Sequence, residues 1–189
     1  MNINELVEQL SSDPFNPELN FKCAKEYDAL GQSASAVSFY LRTAEYGHES
    51  HKNLAYESLL RMSICFESQN DRVATVSNCI LQAIALDPSR EEGYFLMARY
   101  YERQGNWQEC YTWACMGLAI PGLGFENEFL DFPGTLGNFF EKAVAGWWIG
   151  RAKESKELFA WMLQSTKLPD NYRSAIEDNL KRIDPDASI

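Results

Sequence analysis

Both histidines of this chain lie in one four-residue stretch, His48-Glu49-Ser50-His51. Two imidazoles so close could contribute to a divalent-cation site, but zinc needs a third nitrogen, thiolate or carboxylate ligand. No further His or Cys lies close in sequence, so the stretch reads as a solvated connection and no metal is expected. The five cysteines, Cys23, Cys65, Cys79, Cys110 and Cys115, are odd in number and lack CxxC spacing. Each falls inside an apolar helical pattern, which makes them buried thiols of a reducing compartment and not a disulfide frame. Gly122-x-Gly124 has no basic residue or helix start after it, so a phosphate loop is not supported. With no nucleophile elbow and no zinc-protease motif, the expectation is a protein without catalytic residues or cofactors. What remains is recognition chemistry. Lys25, Arg99 and Arg103 suit a carboxylate, such as a peptide C-terminus, with arginine making the bidentate contact.

Those three cations can act together only if helices bring them to one face. The stretch from Leu81 to Pro121 reads as the end of one amphipathic helix at Asp87-Pro88, a helix carrying Tyr94, Ala98 and Tyr101 up to Gly105, and a third opened by Trp107 and closed by Pro121. The same order recurs along the chain. Residues 3–14 form a half-repeat with Ile3, Leu6, Val7 and Leu10 on one face. Residues 17–46 form a first repeat with Asn16 as N-cap, Pro17 in the first turn and Gly31 as a left-handed C′ residue. Residues 52–88 form a degenerate second repeat in which Asn70-Asp71 replaces the turn glycine. Residues 89–121 form the clearest copy, residues 122–138 an aromatic insertion, residues 139–163 a fourth repeat turning at Gly150, and residues 170–183 an amphipathic cap.

The recurring order of small, aromatic, glycine, small and proline positions resembles the tetratricopeptide repeat. Turn residues are 39 apart from Gly31 to Asn70, 35 from Asn70 to Gly105 and 45 from Gly105 to Gly150. The family's period is about 34 residues, so the excess marks insertions before repeats two and four. The resemblance implies an all-α, right-handed α-solenoid of about four antiparallel helix pairs with a half-repeat at one end and a capping helix at the other. A narrower likeness, centred on the Ala-x-Trp-Trp-x-Gly-Arg turn at Ala145 to Arg151, is to the repeat region attached to family-two glycosyltransferases and related bacterial and phage proteins. It implies at most an accessory role that positions such an enzyme or its acceptor. No nucleotide-sugar domain is present in this sequence, and Asp184-Pro-Asp186 matches the metal-binding Asp-x-Asp by letter only.

In such solenoids the first helix of each pair lines an inner groove that takes an extended peptide or a partner's helix. Equating the turn positions places Phe21, Lys25 and Asp28 in the groove from repeat one. Leu60, Ile64 and Glu67 follow from repeat two. Phe95, Arg99, Glu102 and Arg103 follow from repeat three, and Phe140, Val144, Trp147 and Trp148 from repeat four. The chaperone-type carboxylate clamp is not expected, since its Lys and Asn sites hold Phe21 and Lys25. The competing reading is that Phe21, Phe95 and Phe140 fill the interior and that the basic residues pair with Glu102, Glu92 and Asp28. Trp147 and Trp148 are adjacent on a helix, so they point apart and one is available for binding or self-association.

A net charge of −10 and a pI near 4.7 disfavour nucleic acid and anionic membrane as partners. No apolar run is long enough to span a bilayer, and the first ten residues lack a basic and apolar leader pattern. The expectation is a cytoplasmic module whose partner is a protein or peptide, a glycosyltransferase being one alternative and a second copy another.

Overall fold

The structure, a computed structural model, describes residues 3–69, 72–121, 130, 132–166 and 168–183. Ten α-helices run through them, and the architecture is all-α. They are α1 (Ile3–Ser12), α2 (Pro17–Ala29), α3 (Ser33–Gly47), α4 (Lys52–Glu67) and α5 (Val73–Leu86), then α6 (Glu91–Arg103), α7 (Trp107–Ala119), α8 (Thr135–Trp148), α9 (Ala152–Leu163) and α10 (Asp170–Ile183). The chain forms two compact units, Met1–Pro88 and Ser89–Ile189. Within each, every helix packs on the next, and α2 also meets α4 as α6 meets α8. That pattern of neighbour and next-neighbour contact is what stacked helix pairs produce.

The turns inside three pairs are built alike. After α2, the Gly31 amide bonds the Asp28 carbonyl and the Gln32 amide the Tyr27 carbonyl, both at 2.9 Å. After α6, the Gly105 amide bonds Glu102 and the Asn106 amide bonds Tyr101; after α8, Gly150 bonds Trp147 and Arg151 bonds Gly146. Each is a Schellman cap, which needs its C′ residue in the left-handed region. Gly31, Gly105 and Gly150 have φ of 70°, 67° and 83°. A Cβ at any of them would meet nothing within 4 Å, so backbone conformation and not space selects glycine. The Asn16 side chain caps α2 through the Leu19 amide at 3.0 Å, with Pro17 at the start of the helix where its missing N–H costs nothing.

In the first unit Ala24 and Ala36 let α2 and α3 close, and Phe21, Tyr40, Met62, Cys65 and Cys79 fill the space around them. Helix α1 covers this end through Leu6 and Leu10, which pack with Cys23, while Val7 turns outward and does not share their face. In the second unit Ala98, Cys110, Ala114 and Ala145 form the close contacts among α6, α7 and α8. The Ser155 hydroxyl donates to the Ala143 carbonyl at 2.6 Å where α9 crosses α8. Tyr172 and Ile176 of α10 pack with Phe159, Met162 and Leu168.

The chief departure from expectation is the start of α8. It begins at Thr135 and not at Phe139, taking in residues that the sequence assigned to the insertion. Gly134, with φ 71° and ψ −160°, delivers the chain to the helix in a conformation open to glycine almost alone. Gly137 then lies so near Phe95 of α6 that a Cβ would come within 2.8 Å of its ring, and Asn138 lies against Gly117 of α7. Glycine and asparagine here are close-approach residues of a helix, not loop residues. Leu130 and Phe132 are buried, Phe132 against Phe95 at 5.1 Å, whereas residues 122–129 and 131 of the insertion fall outside the described residues, as do Asn70-Asp71 and the tail 184–189. Cys115 is half-buried, unlike the other four cysteines.

Candidate partner-binding surface

In the first unit, the residues expected in a groove do different work. Phe21 is 8% exposed and belongs to the core, so it has little surface for a partner. Lys25 is exposed, with its ammonium 5.8 Å from the centre of the Phe21 ring. Asp28 is taken up within the unit: it accepts from the Tyr40 hydroxyl at 3.0 Å, has the Cys65 sulfur at 3.7 Å and the Arg61 guanidinium at 3.8 Å. Arg61 itself is 1% exposed, and its Nε and Nη2 donate to Glu57 at 2.9 and 2.6 Å. Burial pushes the Cys65 thiol up to about 12, with Asp28 adding to the effect, and burial likewise raises the Tyr40 hydroxyl. This cluster ties α2 and α3 to α4. Arg61 was not among the residues singled out from sequence, although a lone arginine in the apolar run Leu59 to Ile64, with Glu57 one turn earlier, was a readable signal.

The second unit brings its groove residues together more fully, except Phe95, which is wholly buried and serves as a platform under the Arg99 guanidinium at 5.3 Å. Behind Arg99 and Arg103 lies an acid that sequence reasoning also missed. Glu141 of α8 is 4% exposed and its carboxyl is pushed up to about 8, chiefly by burial, with Arg99 opposing, Glu102 reinforcing and Arg103 opposing. The Cys110 sulfur stands 3.8 Å from the Glu141 carbonyl and 4.0 Å from its carboxyl. The charged pair Glu141-Lys142 in the otherwise apolar stretch FFEKAVAGWW was the available hint.

Two concavities open beside these charges. One, of about 180 Å³, is lined by Arg99, Phe140, Asn171, Tyr172 and Ala175, so that α6, α8 and α10 each contribute. The other, of about 460 Å³, has Glu102 of α6, Trp107 of α7, Trp147 and Trp148 of α8, and Asn179 and Arg182 of α10 around it. Trp148 is 60% exposed and stacks on Trp107 with ring centres 5.1 Å apart and planes 13° from parallel. Trp147 and Trp148, both expected in the groove but expected to point apart, line this one cleft together, and Trp107 joins them.

The rest of the Ala145–Arg151 turn joins α8 to α9. Gly150 makes the cap, and the Arg151 guanidinium lies 4.8 Å over the Tyr111 ring. The Tyr111 hydroxyl donates to Glu154 at 2.9 Å, and Lys142 pairs with the same carboxylate at 2.8 Å and holds it below the usual carboxylate range. Packing of α7, α8 and α9 therefore accounts for Gly150 and Arg151, while Trp147 and Trp148 of the same motif line the cleft. Neither histidine turns toward a common centre. His48 Nδ1 bonds the Glu45 carbonyl and His51 Nδ1 the Ser50 hydroxyl, while their other nitrogens face Glu49 and Glu18.

Paired helices closed by a glycine turn, stacked so that alternate helices meet, define the fold of tetratricopeptide-repeat proteins. The solved structures that the chain resembles agree. Two crystal structures of MamA match with TM-scores of 0.64 and 0.62 at 16% identity, covering 95% and 99% of this chain and 89% and 86% of those chains. TTC0263, described as a thermophilic TPR protein in Thermus thermophilus, matches with a TM-score of 0.61 at 16% identity, over 94% of this chain and 88% of that one. At such identity the likeness establishes the fold. No protein-family model matches the sequence, and no curated protein matches it significantly.

Proposed function

We propose that this chain is a non-catalytic interaction scaffold that binds an extended segment of a partner protein, and that its second unit holds a carboxylate of that segment. The observation that supports this most directly is the small concavity where the Arg99 guanidinium, the Asn171 amide and the Tyr172 ring meet beside Phe140. Arginine and asparagine there offer several N–H donors, and the two aromatic rings flank them. Glu102 and Trp147 line the neighbouring cleft, and Arg103 and Lys25 are exposed cations of the second and first units. Asp28, held by Tyr40 and Arg61, is a support and not a contact.

The setting we infer is the cytoplasm, in keeping with five free thiols. Among the described residues no helix is long and apolar enough to cross a membrane. The glycosyltransferase alternative rests on the likeness of the Ala145–Arg151 turn alone, and Gly150 and Arg151 of that turn serve packing.

A peptide library displayed with free or amidated C-termini tests the reading. Free-acid peptides should be enriched, and Asn171→Ala with Arg99→Gln should remove that enrichment while far-UV circular dichroism stays unchanged. Equal capture of both peptide forms would reject the carboxylate site. Arg99→Glu is the poorer variant, since it would set a third carboxylate beside Glu141 and Glu102.

A further inference from the structure

The larger cleft of the second unit has a composition that a peptide carboxylate does not explain. We infer that it is a binding site for a neutral saccharide, with the exposed face of Trp148 as the platform on which a sugar ring lies. This goes beyond the scaffold reading and does not depend on it.

Three of the chain's five tryptophans, Trp107, Trp147 and Trp148, converge in the lining of this cleft. Trp107 stacks on one face of Trp148, which fixes the indole plane, and Trp148 remains 60% exposed in the lining of the cleft. A large aromatic face held rigid and left in water is an unfavourable arrangement that a stacked ligand relieves. The polar groups around it are of one kind: the carboxylate of Glu102, the amide of Asn179 and the guanidinium of Arg182 are all planar and able to bond two neighbouring hydroxyls at once.

Charge narrows the ligand. Glu102 and Arg182 bring opposite signs to the same cleft, so neither a cation nor an anion is matched, and the cleft as a whole is near neutral. A purely apolar ligand would leave those two charges desolvated and unsatisfied, which opposes its binding. A neutral ligand with an apolar face and hydroxyl-bearing edges satisfies both surfaces, and that is the chemistry of a pyranose. The volume of about 460 Å³ lies within the range of small-molecule sites and has room for a mono- or disaccharide.

The test uses the full chain and neutral sugars: N-acetylglucosamine, chitobiose, cellobiose, maltose and lactose. Each is titrated with tryptophan fluorescence and saturation-transfer NMR as readouts. At least one should bind saturably, with transfer strongest at the ring protons that face the indole. Trp148→Ala should weaken it about tenfold, the size expected for one aromatic stacking contact. Because Trp148 is largely exposed, the variant should keep its helicity and should still bind free-acid peptides at the Arg99 concavity. Asn179→Ala should weaken the same sugar without changing the peptide. A glycopeptide bearing the preferred sugar, run beside the free sugar, tells a glycan-reading site from one for soluble saccharide. No saturable signal from any of the five sugars would overturn the inference, as would equal binding to the wild type and Trp148→Ala. A lysine-rich or acidic peptide quenching the cleft tryptophans in place of sugar would also overturn it.

Discussion

Glu141 shows how one buried side chain sets a property of the unit around it. In the folded chain its carboxyl keeps a proton up to about pH 8, whereas an ordinary glutamate gives it up near 4.5. Between those values the folded state holds one proton more than the unfolded state, so stability falls as pH rises through that window and levels off above it. The slope is at most about 1.4 kcal/mol per pH unit for one proton. Arg99, Glu102 and Arg103 from α6 and Cys110 from α7 are the charged and titratable groups that surround it, and the arginines moderate the effect without removing it. Glu141→Gln keeps the shape of the side chain and removes the titration. The variant should match the wild type in melting temperature near pH 5 and exceed it by several degrees at pH 8.5. Parallel melting curves for the two proteins across that range would show that Glu141 is not the titrating group.

At the scale of helices and turns, glycines of one composition have two different reasons to be there, and substitution separates them. Gly105→Ala keeps ample room but forces an alanine to φ near 67°, which should cost about 1 kcal/mol, with Gly105→Asn recovering part of it. Gly117→Ala has ordinary helical backbone, yet its methyl would stand 2.7 Å from the Asn138 side chain, so it should cost about 1–3 kcal/mol by overpacking α7 on α8. Urea unfolding of the three variants should rank them, from mildest to most severe, Gly105→Asn, Gly105→Ala, then Gly117→Ala. If Gly117→Asn proved as benign as Gly105→Asn, the close-approach account of α7 and α8 would fail. This difference also explains what was legible in the sequence. Gly31, Gly105 and Gly150 could be read because a left-handed cap is a local requirement that leaves a local mark. The start of α8 could not, because Gly137 and Asn138 answer to Phe95 and Gly117, which are distant in sequence. The site divides in the same way. Repeat position was enough to propose the cations and Trp147 as surface residues, but the burial of Phe21 and Phe95 and the presence of Glu141 beneath Arg99 depend on how wide each helix face is. No single-helix pattern states that width.

At the scale of the whole molecule, the two buried polar clusters described above lie in different units. Arg61, Glu57, Asp28, Tyr40 and Cys65 all lie in Met1–Pro88, and Glu141 with its arginines lies in Ser89–Ile189. The two clusters have no residue in common, so each should act on its own unit's stability alone. Arg61→Ala should be severe, about 3–5 kcal/mol, because it leaves Glu57 and Asp28 facing a cavity where a fully buried cation had been. Arg61→Met fills the same volume and lets two half-buried carboxylates turn to water, so its cost should be clearly smaller. Combining Arg61→Met with Glu141→Gln at pH 8.5 makes a double-mutant cycle across the units: one change destabilises the first, the other stabilises the second. Their effects should add within about 0.5 kcal/mol, as substitutions at independent sites do. A coupling energy well above that would mean that the state of one cluster is felt by the other, and the protein would then have to be treated as one cooperative body.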